Sequence, residues 1–175
     1  MDAWGRRGLA DPALRRIEPE NLSIVLLFLG YRPESQVERI MAGVEEFFAG
    51  LPAPMVELGD PEPRPEDQPR LVLLPVNSPG VELFHIGLRT HLAHMGHYEV
   101  DPDRPPFWPH LTVARVRPVG AGSRRPMAIR AMPSGPLPRT VTDPCWPESV
   151  SLYHFELRPT GARHARLETV ELRRR

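Results

Sequence analysis

The chain reads as an α+β protein, two helices packed on mainly antiparallel sheet. Three observations predict this. Apolar residues recur at helical spacing in two stretches, and shorter apolar or alternating runs lie around them. Proline-rich segments separate these stretches from one another. The resulting order is strand–helix–strand–strand–helix–strand–strand–strand, in which a strand–helix–strand unit after Leu22 is echoed by another after Pro69.

Leu22 to Leu29 is nearly all apolar, which predicts a strand buried on both faces. Pro33 and Glu34 open a helix, since proline is tolerated in a first turn. Val37, Ile40, Met41, Val44, Phe47 and Phe48 give that helix one apolar face, and Gly50 ends it. Pro54 to Leu58 is a short edge-like strand. Pro69 to Asn77 ("PRLVLLPVN") is a clearer one, with Pro75 suggesting a bend or an edge. A second helix runs from about Gly80 to Met95, with Leu83, Phe84, Leu88, Leu92 and Met95 on one side and Gly96 beyond it as a cap. A strand around His110 follows, then a proline-rich crossing. Glu148 to Leu157 and His164 to Leu172 close the chain as a hairpin across "RPTGA".

A length of 175 residues allows one compact domain, or two small lobes sharing a core. The 22 basic and 22 acidic residues balance, so no global field draws the chain to nucleic acid or to an anionic membrane. Cys145 is the single cysteine, which excludes an internal disulfide framework and fits a reducing, cytoplasmic setting. "LSIVLLFLG" stops well short of a membrane span, and the opening residues lack a signal-peptide core. Of the 175 residues 23 are proline, far above the usual ~5%. The excess lies in Leu58–Arg70, Arg117–Pro126 and Pro133–Pro147, which therefore read as stiff connections.

Chemistry concentrates in "PFWPHLTVARVR", Pro106 to Arg117. On a strand, residues two apart share a face, so His110 and Thr112 point into one space. Alone this is equally a histidine in a polar groove. "PENLSIVLLFLG", Pro19 to Gly30, has the same length and a similar opening.

With those flanks, "FWPHLTVARVR" resembles the second His-x-Thr motif of the 2H phosphoesterases, most closely the bacterial 2'-5' RNA ligase or RNA 2',3'-cyclic phosphodiesterase group. "PENLSIVLLFLG" is similar to that group's first motif strand, of the form Pro-Glu-x-Leu-His-x-Thr-Leu-x-Phe-Leu-Gly. "SLYHFELRPTGARHARLETVEL" is similar to its C-terminal hairpin. The resemblance covers nearly everything from Leu14 onward. It implies a bilobal fold, two pseudo-symmetric lobes of mainly antiparallel sheet with helices outside and a central cleft. Residues 1–175 would be one such domain, without the strand that usually opens it. "DAWGRRGLADPALRRIEPENL" then reads as the end of a helix and a loop. An unpaired strand edge left that way favours self-association.

The resemblance implies metal-free acid–base hydrolysis of RNA or nucleotides ending in a 2',3'-cyclic phosphate, with no cofactor. One histidine takes a proton from water and the other protonates the departing ribose oxygen, work suited to a group that titrates near neutrality. His110 and Thr112 match the second motif as catalytic residues, and Arg115 falls at its basic phosphate contact. Phe107 and Trp108 offer a stacking surface for a base. Simple alternation nevertheless puts Arg115 on the face opposite His110, so a twist or bulge must bring it round.

The first motif is degenerate. Its histidine position holds Ser23 and its threonine position Val25, while Phe28, Leu29 and Gly30 match the flank. A hydroxyl does not titrate near neutrality, and Val25 removes a hydrogen bond. The expected activity is weak or lost, and the alternative is a non-catalytic binder of phosphorylated nucleotide or RNA ends. Phe155 and His164 also stand where the group carries serine and tyrosine. His85, His91, His94 and His97 lie on or just after the second helix; His91 and His94, one helical turn apart, invite a metal, but no carboxylate or cysteine pattern completes a site. His154 and His164, nearer the expected groove, are the stand-ins for the missing histidine.

Overall fold

The computed structural model describes residues 9–99, 101, 103–130, 143–158 and 161–173. In chain order its elements are β1 (Leu14–Arg16), α1 (Val37–Phe48), β2 (Glu57–Leu58), β3 (Glu62–Arg64), β4 (Leu71–Asn77), α2 (Pro79–His94), β5 (His110–Val116), β6 (Ser149–Arg158) and β7 (Gly161–Glu171). They fall into two compact units, the first drawn from Met1–Val25, Glu57–Asn77 and Trp108–Pro144, the second from Leu26–Val56, Ser78–Phe107 and Cys145–Arg175.

The first unit is an antiparallel sheet in the order β1-β5-β4-β2, with β3 also on β4. One face is apolar because Val72, Leu74, Leu111 and Ala114 alternate toward it; they pack with Leu9, Leu14 and Val113. Burying each such side chain contributes about 1.5–3 kcal/mol. The opposite face carries the odd-numbered residues of β4 and, across from them, His110 and Thr112.

Pro75 does not mark an edge. It sits in β4, between β5 on one side and β2 and β3 on the other, with His110 as its Cα partner on β5. Val76 N–H donates to the Pro109 carbonyl while the Pro75 carbonyl accepts from Gly59 N–H. The backbone groups of Pro75 thus point away from β5, into the gap between β2 and β3, where no strand needs the missing N–H.

Three other expectations change. Leu14–Arg16 is not a helix end but strand β1, antiparallel to the outer edge of β5. The proline-rich Leu58–Arg70 segment contains β3, whose Pro63 lies opposite Val72. Leu22–Leu29 is not a doubly buried strand. Only Ile24 bridges to Leu111, and Val25 and Phe28 are 62% and 55% exposed.

In the second unit α1 and α2 pack through Ile40, Met41, Val44, Phe48, Leu88 and Leu92. Close approach needs a glycine, since a Cβ on Gly87 would lie 2.6 Å from the Phe47 ring. Ser78 caps α2, accepting from Val81 N–H at 3.2 Å and donating to the Met55 carbonyl at 2.5 Å. Of the side expected to be apolar, Leu88 and Leu92 are buried with Val81 and Phe84 packs against the same core, while Leu83 is 67% exposed. β6 and β7 form the hairpin expected at the C-terminal end, with Val150, Leu152 and Val170 against the helices.

Candidate functional site

His110 opens β5 and Thr112 follows two residues on, so both leave the apolar core and share the opposite face of the sheet. The Ile24–Leu111 bridge brings the other motif beside them. In that antiparallel register Ser23 falls opposite Thr112 and Val25 opposite His110. Ile24 and Leu22 turn toward the core side, and Ser23 and Val25 are exposed. The two stretches singled out by sequence therefore meet on one face, and the meeting contains one histidine.

That histidine has a defined tautomer. His110 Nδ1 lies 2.9 Å from the Trp108 carbonyl, and a carbonyl can only accept, so Nδ1 carries the hydrogen. Nε2 of the neutral ring is left as the acceptor. The Trp108 ring lies 5.1 Å from the His110 ring and is 43% exposed. The Arg64 guanidinium sits over it at 5.3 Å, held there by Glu62 and by Glu66 at 2.7 Å. Trp108 is thus not core packing. Arg64 escaped the sequence reading because "EPRPE" reads as a loop; only the Glu-Pro-Arg alternation hinted at a strand.

Arg115 is brought round by a bulge. Leu71 and Val72 pair with Arg115 and Ala114, but Leu73 pairs with Thr112, which leaves Val113 without an opposite residue. One extra residue shifts the alternation by one, so Arg115 shares the face of His110 and Thr112. Its Cα partner on β1 is Arg15.

Other candidates lie in the second unit. Phe107 stacks one face of its ring on His85, at 3.9 Å and 4°. His85 Nδ1 meets the Leu26 carbonyl at 2.7 Å, and Arg104 donates to the Phe28 carbonyl and to the Tyr98 hydroxyl. Tyr153 and Phe155 share the β6 face of Ser151, away from Val150 and Leu152; Ser151 and Thr169 hydroxyls hydrogen-bond at 2.9 Å. His154 points to the other face of β6, and the His164 side chain lies outside the described residues. His91 looks toward Glu46 at 3.8 Å, and no group of three metal-ligating side chains occurs among the described residues. No helix among them is long and apolar enough to cross a membrane. Burial raises the pKa of the Cys145 thiol.

No family model matches the chain, and no curated protein matches it in sequence. Its fold is that of the LigT-like 2H phosphoesterases, antiparallel sheets with few helices. Among solved structures, TT0787 of Thermus thermophilus is similar with a TM-score of 0.70 and 23% identity, over 98% of this chain and 90% of that one. E. coli LigT complexed with 3'-AMP is similar with a TM-score of 0.67 and 20% identity, over 98% and 88%. A structure described as a phosphoesterase follows at 0.63 and 20%, over 91% and 82%. At these identities the likeness is one of fold.

Proposed function

We propose that this chain is a diverged member of the 2'-5' RNA ligase family of 2H phosphoesterases. It holds the 2',3'-cyclic phosphate end of RNA at His110 and Thr112 and opens the ring slowly, if at all. One observation supports the reading: the Ile24–Leu111 bridge sets Ser23 and Val25 beside Thr112 and His110, and these are the residues that the resemblance aligns with the first motif's histidine and threonine. In the reaction, water attacks phosphorus, one P–O bond to the ribose breaks, and a phosphomonoester and a free hydroxyl remain. His110 Nε2 handles one of the two proton transfers, and bulk water must handle the other. Losing one positioned acid or base lowers the rate roughly 10²–10⁴-fold. Trp108 gives the terminal base an aromatic surface, and Arg115 adds positive charge on the same face. That E. coli LigT is solved with 3'-AMP, ATP and NADP+ supports a nucleotide as ligand. The lone cysteine supports a cytoplasmic setting.

The test is a short RNA with a 2',3'-cyclic phosphate end, offered to the natural protein and to His110→Ala. Slow ring opening that His110→Ala abolishes identifies a one-histidine enzyme. Binding without turnover, weakened by the same substitution, identifies the non-catalytic binder. RNA that neither binds nor reacts sinks the proposal.

A further inference from the structure

His110 has few supports of its own. Opposite it on β4 stands Pro75, and across the Ile24–Leu111 bridge stands Val25; neither side chain can donate or accept a hydrogen bond. Among the described residues the imidazole makes one hydrogen bond, from Nδ1 to the Trp108 carbonyl, and one ring contact, with the Trp108 indole at 5.1 Å and 34°. Both directional contacts therefore come from Trp108. The indole in turn is 43% exposed, and an exposed side chain with two free torsions samples several rotamers. What singles one out is Arg64. Its guanidinium lies over the indole, 5.3 Å from the ring centroid, and both terminal nitrogens are engaged, one by Glu62 and one by Glu66. Its Nε is buried without a partner. An unpaired buried donor is unfavourable, and the contact with the ring is what offsets it.

We infer that Arg64 is a positioning residue for His110 and acts through Trp108. Fixed between Glu62 and Glu66, it holds the indole in one place. The indole is then a wall beside the imidazole and keeps Nδ1 on the Trp108 carbonyl, which leaves Nε2 without a hydrogen. The support comes from outside the motif: Arg64 lies on β3, across β4 from the strand that carries His110. Its planar, forked guanidinium suits the task, since it can face a ring while its edge pairs with two carboxylates. A histidine without an acid–base partner depends on its own orientation, because no second group compensates for a misplaced Nε2. That Nε2 moves a proton rests on the reading of His110 given above. That Arg64 sets the direction of the ring rests on the contacts alone.

The experiment reads the tautomer of His110 in the ligand-free protein. Long-range proton–nitrogen NMR correlation of isotope-labelled histidine rings separates the two tautomers under alkaline conditions, where imidazole is neutral. The His110 signal is the one missing from His110→Ala. The natural protein shows Nδ1 protonated and Nε2 bare. In Arg64→Met, which keeps an unbranched side chain but loses the charge and the fork, the Nδ1–H form falls from nearly all to a minority. Glu62→Gln with Glu66→Gln moves it the same way by less. Trp108→Ala gives the full change, and adding Arg64→Met to it changes nothing further. A His110 signature that Arg64→Met leaves unmoved overturns the positioning role, whatever happens to stability. So does a mixed tautomer in the natural protein, a Trp108→Ala variant that keeps the Nδ1–H form, or an Arg64→Met effect that persists on the Trp108→Ala background. If the tautomer shifts as expected while RNA with a 2',3'-cyclic phosphate end neither binds nor reacts, the positioning role stands and only the reading of His110 as the RNA-end site falls.

Discussion

The stretches around Ser23 and around His110 look alike in sequence and differ in the fold. His110 to Val116 is a full strand between β4 and β1. Ser23 to Val25 touches the sheet through a single bridge at Ile24. The first carries His110 and Thr112, the second Ser23 and Val25 at the matching places. A strand tied on both sides has its side-chain directions set by its neighbours, so His110 and Thr112 remain aimed whatever the first stretch does. A segment held at one point can exchange its exposed residues cheaply, because Ser23 and Val25 pack against little.

The largest expected effect follows from that asymmetry. Ser23→His with Val25→Thr returns an acid–base pair beside His110 and raises cyclic-phosphate hydrolysis by roughly 10²–10⁴, measured as initial rate. No gain in a folded double variant means that the single bridge does not hold the first stretch precisely enough for catalysis. Stability separates the two regions next. Leu74→Ala, on β4 opposite Leu111 of β5 and at 0% exposure, costs about 2–5 kcal/mol in denaturant unfolding. Ile24→Ala, part-buried at the bridge, costs about 1 kcal/mol; equal costs would mean that the two stretches are equally embedded. Comparable in size is Trp108→Ala, which weakens RNA-end binding by about 1–3 kcal/mol if the ring stacks a base, read by titration with the RNA end. The smallest effect lies away from both motifs. Burial raises the Cys145 pKa, so its thiol alkylates more slowly near pH 8 in the folded protein than in urea. Because the folded state holds that proton more tightly, its contribution to stability is present below the unfolded pKa and is lost as pH rises above it.

Much of the fold was legible. The α1 and α2 periodicities and the C-terminal hairpin follow from local spacing, and α2 begins one residue from its expected start. β1 and β3 were not legible, since three-residue strands carry no periodicity and β3 contains a proline. Within the site, the meeting of the two motifs was readable from their matching flanks. Arg64 was not, because it gains its place over Trp108 only through the strand pairing of β3 with β4.

Residue identity alone determined that one motif keeps histidine and threonine while the other holds serine and valine, and no packing can change what those side chains can titrate or donate. The tertiary structure decided where the remaining groups point. The bulge at Val113 turns Arg115 onto the face of His110 and Thr112, β1 sets Arg15 opposite it, and His85 stacks on Phe107. Each of these depends on a backbone register or a contact between residues far apart in sequence. A shift of one residue moves a side chain from one face of a sheet to the other, and only the assembled partner strands determine whether that shift is made.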